Sequence, residues 1–387
     1  MKICGVIAEF NPLHNGHKYL IDIAKKHSDA VVLALSGSFV QRGEPAFISK
    51  WDRTRLALEC GCDLCLELPV HWSMSAAANF AFGAVGLLLN AGIDTLVFGS
   101  ECGDIDLLLK TADILESNSF NETVKANLSD GKTFAAARQS AMDNTDPACS
   151  ALLQSANDTL ALEYILAARK LKADIDFLAV KRIGAAHDSC VSDSTVSASF
   201  IRQNRAFSPD VMPEFAASLL SELDSKGHIT DYKKLDTAML SVLRQKQAAD
   251  FSNLPDISEG LENSLYKAVK TAGSLEELIF SVKSKRYTLA RIRRLCMSAF
   301  LGIDNSFYFK QVPYIRPLGF NKLGEDILKS AANSGVPILS KASNAENLNV
   351  LAQSAFKAEQ RATDMFALTL KSPLPAGLDY TQKIIKL

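Results

Sequence analysis

Up to about residue 204 the chain alternates short apolar runs with longer amphipathic stretches. The apolar runs at 3–10, 30–36, 64–68, 95–98 and 177–180 read as strands buried on both faces of a parallel sheet. Between them, 16–27, 50–59, 80–90, 105–116 and 160–170 carry apolar residues at helical spacing, as with Tyr19, Leu20, Ile23 and Ala24. Strand, crossover helix, strand is the repeating unit of a doubly wound α/β fold. Past residue 204 strand candidates nearly vanish. Helical patterns take over at 211–226, 234–245, 258–271, 274–282, 288–301, 321–334 and 345–368, with one extended stretch at 336–339. The pattern predicts a Rossmann-like domain over 1–205 and a mainly helical C-terminal domain over 206–387.

Composition narrows the function classes. A chain of 387 residues suits two domains, at roughly 100–200 residues each. Lys and Arg together number 42 against 43 Asp and Glu, which excludes a chain-wide basic coat for nucleic acid or anionic lipid but not a local patch. The N-terminal apolar run meets Glu9 with no small-residue cleavage site, so it reads as a strand and not as a secretory signal. The apolar stretch 76–93 contains Asn79 and Asn90 and reads as a buried helix, with no membrane span expected. Eight scattered cysteines are expected as free thiols in a reducing cytoplasm. Cys60, Cys62 and Cys65 are closely spaced, but no second ligand pair lies near them. A structural role is therefore expected ahead of zinc.

The turn after the first strand carries the strongest chemistry. Glu9-Phe10-Asn11-Pro12-Leu13-His14-Asn15-Gly16-His17 leaves a strand and enters a helix, at the sheet edge where α/β proteins bind nucleotides. Unpaired N–H groups of the first helical turn suit phosphate. His14 and His17, three apart, share one helical face, and Gly16 lets a ligand approach the backbone. That arrangement suits charge stabilisation at an α-phosphate. The plainer alternative is a solvated pair of histidines at a helix start.

His-x-Gly-His after the first strand resembles the HIGH-motif nucleotidyltransferases. The whole string from Glu9 to His17 is similar to the tRNA(Met) cytidine acetate ligase family. So are Ser36-Gly37-Ser38-Phe39-Val40-Gln41-Arg42-Gly43-Glu44-Pro45-Ala46, Ser49-Lys50-Trp51 and Glu67-Leu68-Pro69. Phe98-Gly99-Ser100-Glu101, Asn157-Asp158, Lys181-Arg182-Ile183 with His187-Asp188, Ser197 to Arg202 and Tyr314-Ile315-Arg316 extend the likeness through most of the chain. It implies ATP along Ile7, Ala8, Glu9, Phe10, Asn11, Pro12, Leu13, His14, Asn15, Gly16, His17, Lys18, Tyr19 and Leu20. It also implies contacts at Gly99, Asn157, Lys181, Arg182, Ser197, Ser199 and Arg202, with His14 and His17 as the catalytic pair. Ser199-Phe200 departs mildly from the family pattern, as does Leu20, where relatives often carry His.

The activity implied is ATP-dependent activation of acetate to acetyl-adenylate, then transfer to N4 of the wobble cytidine of elongator tRNA(Met). Mg2+ is expected with ATP, although no carboxylate pair marks its ligands. Gln41 and Arg42 follow the second strand and are candidates for reading substrate, or form an ordinary exposed loop. Lys283, Lys285, Arg286, Arg291, Arg293 and Arg294 form a run of six basic residues with no acid, a candidate surface for the RNA backbone or a solvated basic helix. Lys310, Arg316 and Lys322 are candidates to extend it. A small-molecule adenylyltransferase would share the nucleotide motifs, without needing the helical half or the basic run.

Overall fold

A computed structural model of the chain describes residues 1–182, 197–258, 260–307 and 311–387. Nine strands are formed among them: β1 Ile3–Ala8, β2 Ala30–Ser36, β3 Phe39–Val40, β4 Glu44–Pro45, β5 Leu64–Leu68, β6 Thr95–Ser100, β7 Asp176–Lys181, β8 Pro317–Phe320 and β9 Ile385–Lys386. Seven make one sheet in the order β7-β6-β1-β2-β5-β8-β9. The five strands predicted from the apolar runs are mutually parallel, in the order of a doubly wound sheet. Alternate residues of β2 feed two cores. Ala30, Val32 and Ala34 pack on one face, and Val31, Leu33 and Leu35 on the other, which is why the whole strand is buried.

The helical half is not separate from this sheet. β8 pairs antiparallel with β5, and β9 pairs parallel with β8. The helix Glu214–Ser225 packs its apolar face into the core shared by β1 and the helix Asn15–His27. A further core joins the helices Asp236–Arg244, Leu261–Thr271, Leu275–Val282 and Leu289–Leu301 to Phe39 and Val40 of the small β3–β4 hairpin. The extended stretch at 336–339 forms a single bridge, Ile315 to Ile338.

Three helices between β6 and β7 were absent from the sequence pattern: Asn118–Ser129, Phe134–Thr145 and Pro147–Leu152. Two of them are rich in small or polar residues and the third is only six residues long, so periodicity is weak. Their starts were nonetheless legible, because Ser117, Thr133 and Asp146 each cap a helix by accepting a backbone N–H. The 76–93 stretch folds as the helix Ala77–Asn90, largely buried, and no described helix is long and apolar enough to cross a membrane. Cys60, Cys62 and Cys65 are buried free thiols. Burial pushes Cys60 and Cys65 up to about 12, so both thiols stay protonated at neutral pH.

Candidate active site

At the carboxyl ends of β1, β6 and β7 the structure opens a cavity of about 570 Å3. The chain leaves β1 through Phe10, whose φ of 45° lies in the left-handed region and costs a side chain roughly 1 kcal/mol or more. Burial of the Phe10 ring and the bond from Arg53 to the neighbouring Glu9 carbonyl, at 2.8 Å, hold the turn. Arg53 was not anticipated. Fully buried, it also donates to the Ser36 and Gly37 carbonyls, tying the ends of β1 and β2 together.

His14 caps the helix Asn15–His27, and its Nδ1 accepts the Gly16 N–H at 3.1 Å. His17 Nδ1 in turn accepts the His14 N–H at 3.3 Å, and the two rings stack with centroids 3.8 Å apart. Burial lowers His14 to about 4, with the Arg182 charge adding to it. Burial, then His14 and Arg182, lower His17 well below its ordinary value. Both imidazoles are therefore neutral at pH 7. With Nδ1 committed as an acceptor, each carries its proton on Nε2 and offers a neutral N–H donor.

The other walls converge on the same space. Ile7, Ala8, Glu9 and Asn11 come from the β1 end; Asn15, Gly16, Tyr19 and Leu20 come from the helix that follows. Phe98 and Gly99 close β6, and Lys181 and Arg182 stand exposed where β7 ends. Asn157 donates to Glu101 Oε1 at 2.5 Å, fixing the helix Ala156–Lys170 to the end of β6. Burial opposes ionisation of Glu101, yet hydrogen bonds from Ser155 and Asn157 hold its carboxyl below the ordinary value. Ser197 caps the short helix Ala198–Asn204; Arg202 on it donates to the Asn11 carbonyl at 2.5 Å and to Ser199 Oγ at 3.3 Å. Gln41 and Arg42 reach the cavity from the β3–β4 turn.

Three residues of the expected nucleotide run do not line the cavity. Leu13 and Pro12 are buried in the turn, and Lys18 is rotated to the outer face of its helix, paired with Asp22. Conversely, Phe80, Tyr164 and Val180 line it without having been anticipated, because their spacing is that of ordinary core positions. Ile183, His187 and Asp188 lie outside the described residues, as does Lys310. Among the described residues no cluster of three or more His, Cys, Asp or Glu is placed to hold a metal ion. The Mg2+ expected with ATP therefore has no protein cage among them.

A model of the HIGH Nucleotidyl Transferase family matches residues 1–378. The tRNA(Met) cytidine acetate ligase of Thermoanaerobacter sp. (strain X514) is 37% identical, and the alignment covers 100% of both chains. The chain belongs to the tRNA(Met) cytidine acetate ligase family. Another relative under that name, from Acetivibrio thermocellus, is 36% identical over 100% of both chains. The crystal structure of Thermotoga maritima TmcAL bound with alpha-thio ATP superposes with a TM-score of 0.92 at 30% identity, again over 100% of both chains. The apo form of the same protein gives 0.93 at 31%.

In this member of the ligase family the basic run divides in two. Lys283, Lys285 and Arg286 are exposed, Arg286 lying over the Tyr287 ring. The three later arginines on the helix Leu289–Leu301 are engaged within the protein. Arg291 donates twice to the Asp256 carbonyl, Arg293 pairs with Glu44 at 2.6 Å, and Arg294 donates to the Gln41 carbonyl at 3.3 Å. Arg316 does not extend that surface, because it is buried in an ion cluster with Glu67 and Asp379. Lys322 is exposed and pairs with Glu325.

Proposed function

We propose that this chain activates acetate with ATP and transfers the acetyl group to N4 of the wobble cytidine of elongator tRNA(Met). An acetate oxygen attacks the α-phosphorus and pyrophosphate leaves. The cytidine amine then attacks the acetyl carbon, giving N4-acetylcytidine and AMP. Full-length kinship with named ligases carries the reading, and the nucleotide-sized cavity supports it.

Each wall has a task in this scheme. The Nε2–H donors of His14 and His17 meet charge developing at the α-phosphate. Lys181, Arg182 and Arg202 balance the departing pyrophosphate. The apolar wall of Phe80, Phe98, Leu160 and Tyr164 suits the adenine ring. Mg2+, for which no cluster of protein ligands is placed among the described residues, would be carried by the triphosphate itself and would offset its charge. The exposed Lys283, Lys285 and Arg286 would offer the RNA backbone a basic edge, in keeping with RNA binding by the helical half and ATP chemistry within residues 1–205. Such a substrate places the reaction in the cytoplasm.

Labelled acetate, ATP and total tRNA test the proposal together. Label is expected in tRNA(Met), with one AMP released per acetyl group transferred. Unlabelled tRNA alongside adenylation of a small nucleotide would favour a small-molecule adenylyltransferase instead.

A further inference from the structure

Acetyl transfer to an exocyclic amine frees a proton. As N4 bonds to the acetyl carbon, the bond from that carbon to the AMP oxygen breaks and AMP leaves with its electron pair. N4 must then shed a proton to end as a neutral amide, and a positioned base normally takes it. This inference rests on the function proposed above.

The histidines cannot serve. Each Nδ1 already accepts a backbone N–H, so each Nε2 carries a proton and can only donate. Lys181, Arg182, Arg202 and Arg42 are cations with nothing to accept a proton. Burial raises the Tyr164 phenol far above neutrality, so it supplies no phenolate. Among the described residues, Glu9 is the one carboxyl group lining the cavity.

Its placement fits the task. Glu9 directly precedes Phe10, whose ring lies 5.0 Å from that of His17. Its Oε1 accepts the Gln41 N–H at 2.8 Å, which fixes the carboxyl between the histidine turn and the 41–42 loop. Oε2 has no hydrogen-bond partner among the described residues. We propose that Glu9 is the proton acceptor for the cytidine amine in the acetyl-transfer step.

Electrostatics are consistent with this role. Burial raises the carboxyl above its ordinary value, against the Gln41 N–H and the charges of Arg202, Arg53 and Arg42, with Tyr164 facing it from the helix Ala156–Lys170. A carboxylate raised in this way is a better base than one in water.

Glu9→Gln keeps the size and the oxygen that accepts from Gln41, but cannot take a proton. Two rates are compared: acetate-dependent ATP–pyrophosphate exchange, and single-turnover acetylation of tRNA by enzyme preloaded with acetyl-adenylate. Transfer is expected to fall about 100-fold relative to exchange in the variant. The rise of wild-type transfer with pH on its acid side should disappear. Glu9→Asp, with its carboxylate retained, should restore that rise at a reduced rate. Undiminished transfer in Glu9→Gln would identify the leaving phosphate or water as the acceptor and overturn the assignment. Equal losses in exchange and transfer would overturn it too, by placing Glu9 in adenylate formation. If wild-type enzyme exchanges but never labels tRNA, the failure lies with the proposed function and not with Glu9.

Discussion

Each imidazole of the His14–His17 pair holds the helix start with Nδ1 and keeps its proton on Nε2, in the wall of the cavity. Burial keeps the pair neutral, and protonating Nδ1 would in addition break the cap. An unfolded histidine takes up its proton near pH 6.5, whereas folded His14 resists until about 4. Between those values the unfolded chain binds more protons. Stability present above pH 6.5 is therefore lost as pH falls through this window, up to about 3 kcal/mol for a group so deeply buried. The ligand-free protein should lose Tm between pH 6.5 and 4 more steeply than His14→Gln, whose amide oxygen can still cap. Thermal melts across that range decide it. Coincident slopes would mean that the histidines are not held neutral.

At the scale of elements, the contact between the β3–β4 turn and the helix Leu289–Leu301 joins the helical half to the cavity. Gly43 sits at φ 74°, and a Cβ there would meet the Arg294 backbone nitrogen at 2.6 Å. Flanking it, Glu44 pairs with Arg293 and the Gln41 carbonyl accepts from Arg294. Gly43→Ala should therefore cost about 1–3 kcal/mol in urea unfolding, through both strain and overlap. It should also lower tRNA acetylation, because the loop that reaches Glu9 must move. Wild-type values for both would show the contact to be loose. The sequence marked this loop and this helix separately, and their meeting was invisible in it. Periodicity found the five parallel strands and most helices, since burial on two faces or on one stripe leaves a pattern. It could not tell that Arg291 and Arg294 are engaged within the protein, because an arginine donating to a backbone carbonyl looks identical in sequence to one in water. Phe80 and Tyr164 escaped for the opposite reason: a cavity wall has the spacing of a core.

Across the whole molecule, several segments that carry the family likeness but do not line the cavity converge on one buried cluster. Lys50 Nζ lies 2.5 Å from Glu67 and 2.8 Å from Asp379, and Arg316 lies 2.8 Å from Glu67 and 2.9 Å from Asp379. Glu359, from the helix Val350–Thr369, completes it 3.6 Å from Lys50 and accepts the Val70 N–H at 2.7 Å. Three carboxyl groups against two cations would leave a buried negative charge. Burial and the neighbouring Glu67 drive Glu359 well upward, so it holds a proton. Despite burial, Lys50 and Arg316 keep the Asp379 carboxyl low and ionised. The cluster is then neutral and binds β5, the segment leading into β8 and the helix Val350–Thr369 into one body, which is how a strand some 250 residues downstream of β5 joins its sheet. The protonation pattern separates two isosteric substitutions. Glu359→Gln replaces a neutral acid by a neutral amide that can still accept from Val70 and donate to Glu67, and should cost under about 1 kcal/mol. Asp379→Asn removes a charge facing both Lys50 and Arg316, and should cost roughly 3–5 kcal/mol. Chemical denaturation of the two variants side by side tests the assignment. Equal losses would mean that the proton resides elsewhere in the cluster.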